Sequence, residues 1–244
     1  MKNLIKCTVV ALLLALASEA AATPSRQIWI PSPDAQPFTT FNVGVDTYGT
    51  MFRKQGDNAQ QRATNYGITA GLGLLPAEKL NLEVGIDLRE PTDYPILFNA
   101  KVGLPENTGF PGMPALAIGG YDFGTKKNIT NYNLIYGLAA KTVPFVGRLS
   151  AGYYFGNGGL LKDRNGKEDS ADFMFSWDRS LVEISDKLWA AVDYQRGNNR
   201  YGAFSFGASW AFSESTSVLL GYQIYNDSGV MGKNTVTIQV DIDF

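Results

Sequence analysis

The sequence predicts an all-β fold, a transmembrane antiparallel up-and-down β-barrel of about 12 strands in a single domain. Three observations predict it. From residue 38 onward the chain runs as segments of about ten alternating residues separated by turns, the length a tilted strand needs to cross a bilayer. Glycine (26 residues) and aromatics (12 %) are abundant while no later run is long and apolar enough for a spanning helix, which suits a barrel with lipid outside and polar groups inside. The chain also opens on a secretory signal.

That signal is residues 1–22. Lys2 and Lys6 form the charged start, Val9 to Ala17 the apolar core, and Ala20-Ala21-Ala22 a small-residue cleavage site before Thr23. Cys7 leaves with it, so an exported chain with no cysteine must be held by its fold alone. Removing Lys2, Lys6 and Glu19 takes the formal charge from 21 − 23 = −2 to 19 − 22 = −3, a balance that gives no reason to expect nucleic acid as a partner. Residues 23–37 carry Pro24, Pro31, Pro33 and Pro37 around Trp29. Proline removes ladder donors, so this stretch is expected to be an extended periplasmic lead-in and not a strand.

Residues 38–244 form the expected barrel. Its strands are expected at 38–51, 63–75, 80–90, 95–104, 113–124, 131–142, 146–156, 171–180, 188–197, 201–212, 216–227 and 235–244. In the third, Leu80, Leu82, Val84, Ile86 and Leu88 oppose Asn81, Glu83 and Asp87. In the tenth, Phe204, Phe206, Ala208, Trp210 and Phe212 oppose Ala203, Ser205, Gly207 and Ser209. Strand 113–124 is the least regular, its parity blurred at Gly119 and Gly120. An even strand count brings the two terminal strands together and closes the edges that lipid forbids. With both ends periplasmic, the two longest connections, 52–62 and 157–170, fall together on the opposite side, the pattern of short inner turns and long outer loops. A secreted β-sandwich would show similar alternation; the signal, the strand length and the terminal residue decide against it.

The last strand alternates Val236, Ile238, Val240, Ile242 and Phe244 with Thr235, Thr237, Gln239, Asp241 and Asp243, and stops on the aromatic. This terminal Phe244 resembles the C-terminal assembly signal of bacterial outer-membrane β-barrel proteins. The resemblance implies localisation in the outer membrane, with membrane lipid and the barrel-insertion machinery as partners. A second resemblance is shorter. Ile28-Trp29-Ile30-Pro31-Ser32-Pro33-Asp34-Ala35, with Phe41-Asn42-Val43-Gly44 and Met113-Pro114-Ala115-Leu116-Ala117-Ile118-Gly119-Gly120-Tyr121-Asp122, resembles YjbH-type exopolysaccharide-associated outer-membrane proteins, although the chain lacks their greater length.

The chain has no histidine and, after processing, no cysteine, so neither nucleophile–His pairs nor His/Cys metal sites can be assembled; no enzyme activity, cofactor or metal is expected. The acidic run Asp163 to Asp169 lacks the closing glutamate of a calcium loop and reads as solvated surface. What remains is the inward parity: Asp46, Glu83, Asp87, Lys101, Lys141, Arg148, Asp193 and Asp241. Acidic residues outnumber basic ones there, which predicts a narrow porin-like channel for small solutes with slight cation preference. A non-transporting structural or surface-polysaccharide-associated role is the alternative. Tyr48, Tyr154 and Tyr225 are expected inside, and Trp177, Trp210, Tyr66 and Tyr132 in an interfacial girdle.

Overall fold

A computed structural model describes residues 25–50, 64–74, 79–90 and 93–244. The expected signal peptide, the connection 52–62, most of the turns 76–79 and 91–94, and the side chain of Tyr66 lie outside them.

Strict alternation over ten-residue segments makes strands, and strands in lipid must close on themselves because no backbone group can be left unpaired there. Twelve strands do so: β1 (Phe41–Gly49), β2 (Thr64–Leu74), β3 (Leu80–Glu90), β4 (Ile96–Leu104), β5 (Ala115–Gly124), β6 (Asn131–Val143), β7 (Gly147–Phe155), β8 (Ala171–Ser180), β9 (Leu188–Gln195), β10 (Ala203–Ser213), β11 (Thr216–Tyr225) and β12 (Thr235–Asp243). Each pairs antiparallel with its sequence neighbours, and β12 returns to β1 in the register Val43↔Ile242, Val45↔Val240, Thr47↔Ile238. The closing seam continues one residue further, where Phe41 and Phe244 exchange backbone hydrogen bonds of 3.2 and 2.8 Å.

The outer face is the apolar parity. Val84, Ile86, Leu88, Phe98, Phe204, Phe206, Trp210 and Ile238 are exposed there, while the alternate residues of the same strands are sheltered. Aromatic neighbours reinforce this face: Tyr153 meets Phe173 edge to face at 5.1 Å, and Phe206 lies 5.8 Å from Tyr222 across β10 and β11. Such a band is the surface that hydrocarbon covers in a spanning barrel.

Three irregularities interrupt the described ladders, one at Ala211–Ser213 between β10 and β11 and two bordering β5. The register shifts between Tyr121 and Phe123, with Asp122 at φ 56°, and again opposite Asn99 on β4. A bulge of this kind re-aims a side chain, and here it turns the Asp122 carboxylate into the buried interior beside Tyr121. On the loop side, a single helical turn α1 (Ser228–Met231) is capped by Asp227, whose side chain accepts the Gly229 N–H at 2.7 Å, and it seats Met231 against Ala203 and Tyr225.

The lead-in is corrected by the structure. Residues 25–36 are not an extended lead-in; they fold back inside the barrel, with Ile28 and Ile30 fully buried and Gln27, Ser32 and Gln36 nearly so. The prolines that bar this stretch from the wall permit a tight hairpin instead. Gln27 N–H donates to Ile30 O (2.9 Å), Ser32 N–H donates to Ser25 O (3.1 Å), and Arg26 bridges Pro31, leaving Ile28 and Trp29 as a two-residue tip.

Candidate functional site in the barrel lumen

An apolar tip cannot rest in a polar lumen unless the wall is apolar where it lands, and its free amides need acceptors. Both are supplied by one side of the barrel. Ile28 packs among Trp189, Ala191 and Leu219, and Ile30 joins a cluster with Leu134, Tyr154, Leu161 and Met174. Burying two isoleucines contributes roughly 1.5–3 kcal/mol each. Oδ2 of Asp193, on β9, accepts the backbone N–H groups of Ile28 at 2.9 Å, Trp29 at 2.8 Å and, weakly, Ile30 at 3.5 Å. Successive amides aimed at one oxygen form an anion-binding nest, so a carboxylate that would be costly to bury alone is held by the hairpin it holds. Gln239 Nε2 donates to Ile28 O (2.9 Å), and the Trp29 indole donates to Tyr201 O (2.7 Å).

Two further clamps act on the hairpin's flanks. Glu83 and Lys101, paired directly across β3 and β4, form an ion pair at 3.7 Å in which both side chains are buried. Glu83 accepts from Ser25 Oγ (2.7 Å) and Gln36 N (2.9 Å), while Lys101 donates to Ser25 O (3.0 Å) and Ser32 O (3.3 Å), so one pair ties both legs of the hairpin. On the opposite wall Asp178 accepts from Gln27 Nε2 (2.9 Å) and from Arg148 Nε (3.1 Å), and Arg148 reaches on to Asp34. Arg26, near the tip, pairs with Asp46 of β1.

Of the eight inward charges expected from sequence, Asp46, Glu83, Lys101, Arg148 and Asp193 therefore contact the hairpin, and Asp87 and Asp241 face the space it leaves. Lys141 is the correction. It pairs with Leu149, whose side chain is exposed on the outer face, and its ammonium bonds Glu106 in the turn after β4. The inward residues of β6 are Leu134, Tyr136, Leu138 and Ala140, so here the interior parity is the apolar one, and the lysine at the strand's end reaches out to the turn. Tyr132 is also not a girdle residue: it stacks under Arg200 at 4.3 Å and packs on Tyr201 inside the loop mouth. Tyr48, Tyr154 and Tyr225 are buried inward, and Trp210 is exposed outward.

Several residues of the site escaped the sequence reading: the hairpin's Arg26, Gln27 and Trp29, and the wall carboxylates Asp122 and Asp178. Asp122 binds Arg89 Nη2 at 2.9 Å and the Tyr201 hydroxyl.

Because the hairpin leans on β8 to β11, a cavity of about 460 Å³ remains between it and the wall formed by β12 and β1 to β5. Its wall is rich in small residues, with Gly44, Gly67 and Gly120 among them, and in charge, with Asp46, Glu83, Asp87, Asp122 and Asp241 facing Arg26, Arg89, Lys101 and Arg200. Such a lining can hydrate and orient a small polar solute.

No protein-family model matches the sequence, and no curated protein does. Among solved structures the chain is similar to a KdgM porin, with 6 % identity, a TM-score of 0.53, and coverage of 84 % of this chain and 98 % of that one. It is also similar to a structure reported in work on in-meso crystallization of membrane proteins, with 13 % identity, a TM-score of 0.51, and coverage of 84 % and 83 %. At such identities the likeness shows a shared fold, the closed transmembrane-type β-barrel.

Proposed function

We propose that the protein is a non-enzymatic, porin-like channel of the outer membrane, passing small solutes with a slight cation preference through a lumen narrowed by its own N-terminal hairpin. The observation that carries this reading is the polar cavity of about 460 Å³ beside the hairpin, enclosed by a wall whose outer face is apolar. Two carboxylates in it, Asp87 and Asp241, have no ion-pair partner among the described residues, which sets an excess negative field. The fold shared with a porin supports the same reading. Export by a cleaved signal peptide and insertion through recognition of Phe244 complete it, with membrane lipid, the insertion machinery and small solutes as partners.

A second reading is a non-transporting structural or surface-polysaccharide-associated protein. The hairpin favours it, because it is anchored by buried bonds on both walls and fills the β8 to β11 side. Planar-bilayer recording of the full chain separates the two. Small, cation-preferring current steps are expected. Silence both in the intact protein and in Asp193→Ala, where the tip loses its anchor, would remove the channel in favour of the second reading.

A further inference from the structure

The wall of the cavity contains a row of four residues in direct register: Asp241 opposite Gly44, Gly44 opposite Gly67, and Gly67 opposite Asp87. Two carboxylates thus flank two glycines, on β12, β1, β2 and β3 in turn. Both lean inward over the glycines. A β-carbon on Gly44 would stand 2.8 Å from Oδ1 of Asp241, and one on Gly67 would stand 3.0 Å from Oδ1 of Asp87. Each carboxylate thus stands over the gap between its own strand and the neighbouring glycine, and the two face each other across about two strand spacings, ~10 Å.

Among the described residues neither carboxylate has an ion-pair partner. Asp87 accepts a single hydrogen bond from Asn99 (3.0 Å), and Asp241 Oδ2 is buried with no hydrogen-bond partner. Asp46, two residues from Gly44 on the same face of β1, also has a buried oxygen, Oδ1, with no partner. Buried carboxylate oxygens left unpartnered are costly, so the arrangement calls for a positively charged donor. The hairpin shows which chemistry fits this wall, since its Arg26 guanidinium already satisfies the other oxygen of Asp46. Tyr48 and Trp29, edge to face at 5.6 Å, border the same cavity and offer ring faces to a cation.

We propose that the Asp87–Gly67–Gly44–Asp241 saddle binds a small organic cation bearing a guanidinium or primary ammonium group. A divalent metal fits less well. It requires six or more oxygens at about 2–2.6 Å, whereas this pair is spread too widely, and no cluster of three or more metal-type side chains occurs among the described residues. A guanidinium presents several N–H donors in a fan and takes a carboxylate two-pronged, while the glycines keep the floor clear for the rest of the cation to extend toward the second carboxylate.

The site deepens the channel reading by naming the class of solute, and it is tested without a bilayer. Full-length protein purified in detergent is titrated calorimetrically with agmatine against a constant potassium background. Saturable one-site binding is expected. The near-isosteric double variant Asp87→Asn/Asp241→Asn should weaken it by about tenfold or more, as loss of charge-assisted bonds does. Gly44→Ala keeps every charge but drives a methyl group into the Asp241 carboxylate, and it should weaken binding too. Heat-modifiable gel mobility verifies that each variant is folded. No saturable heat in the unmodified protein, or binding undiminished in both folded variants, overturns the site. Agmatine binding by a protein that carries no current leaves the site standing and removes the channel; current without agmatine binding removes the site and leaves the channel.

Discussion

Asp193 and Trp29 lie 164 positions apart in the chain, and the Trp29 backbone N–H donates to Oδ2 of Asp193 at 2.8 Å. The carboxylate holds the hairpin tip by its amides and not by a side chain, so the grip is indifferent to tip sequence and sensitive to the acceptor. Asp193→Ala should free residues 27–30, at a cost of roughly 2–4 kcal/mol for the lost charge-assisted bonds. Larger and noisier single-channel currents are expected, together with new proteolytic cleavage near the tip. Unchanged current and an unchanged digestion pattern would show that Asp193 does not hold the hairpin.

The Glu83–Lys101 pair should behave as a buried ion pair that also bears a load from the hairpin. Removing one partner leaves an uncompensated charge, so Glu83→Ala is expected to destabilise the barrel by about 3–5 kcal/mol. The double variant Glu83→Leu/Lys101→Met removes both charges and should recover most of the loss in the midpoint of heat-modified gel mobility. A double variant as unstable as the single one would mean that the bonds to Ser25 and Gln36, and not the charge pairing, carry the stability.

Selectivity should follow Asp87 and Asp241, which line the cavity and have no ion-pair partner among the described residues. In recordings across a salt gradient, the double variant Asp87→Asn/Asp241→Asn should move the reversal potential toward anions. The cation preference of the intact protein should itself shrink as salt rises, because the screening length falls from about 10 Å at 0.1 M to about 3 Å at 1 M. Anion preference in the unmodified protein would place the conducting path elsewhere.

At the loop mouth Arg164 forks onto Asp227, which also caps α1. The Arg164 hydrogen bonds hold the Asp227 carboxyl below the usual carboxylate range. A depressed folded-state pKa stabilises the folded form above the unfolded value and loses that contribution as pH falls through the folded one. The latch is therefore expected to be intact at neutral pH and to open only below about pH 4. Amide exchange at residues 228–231 should accelerate in that window, and Asp227→Asn should show the fast rate at neutral pH. Equal exchange in both proteins would discount the latch.

Phe244 stands exposed on the outer face, its ring centroid 6.1 Å from that of Phe41 across the seam. If it is an assembly signal, Phe244→Asp should lower outer-membrane levels and raise protease-sensitive periplasmic material. Normal levels of the variant would leave Phe244 as a seam contact alone.

The strands were legible because two different media fix their parity: Phe204, Phe206 and Trp210 face one, and Ser205 and Ser209 the other. Their boundaries fall within about three residues of expectation, since turns such as Ser213 to Ser215 interrupt the alternation. Lys141 was misread because the rule of a polar interior fails on β6, where the hairpin and loop side chains supply an apolar filling for Leu134 and Leu138. Asp122 was hidden by a bulge that no alternation rule registers. The hairpin was read as a lead-in because its prolines exclude it from the wall. Yet Ile28, Trp29 and Ile30 are consecutive apolar residues outside any strand, and the lumen was the place left to bury them.

The hairpin also sets an order of events. Its partners Asp178 and Asp193 follow it by 151 and 165 residues, so no contact at the tip can form until β8 and β9 exist. The wall, meanwhile, closes where β1, the strand this segment leads directly into, meets β12. A filler this large, bonded to opposite walls, is placed most readily while the sheet is still an open, curling ribbon. In the finished barrel the ring that closes at β1 and β12 passes around a core bonded to both walls, so the hairpin is enclosed and cannot leave sideways without that seam opening.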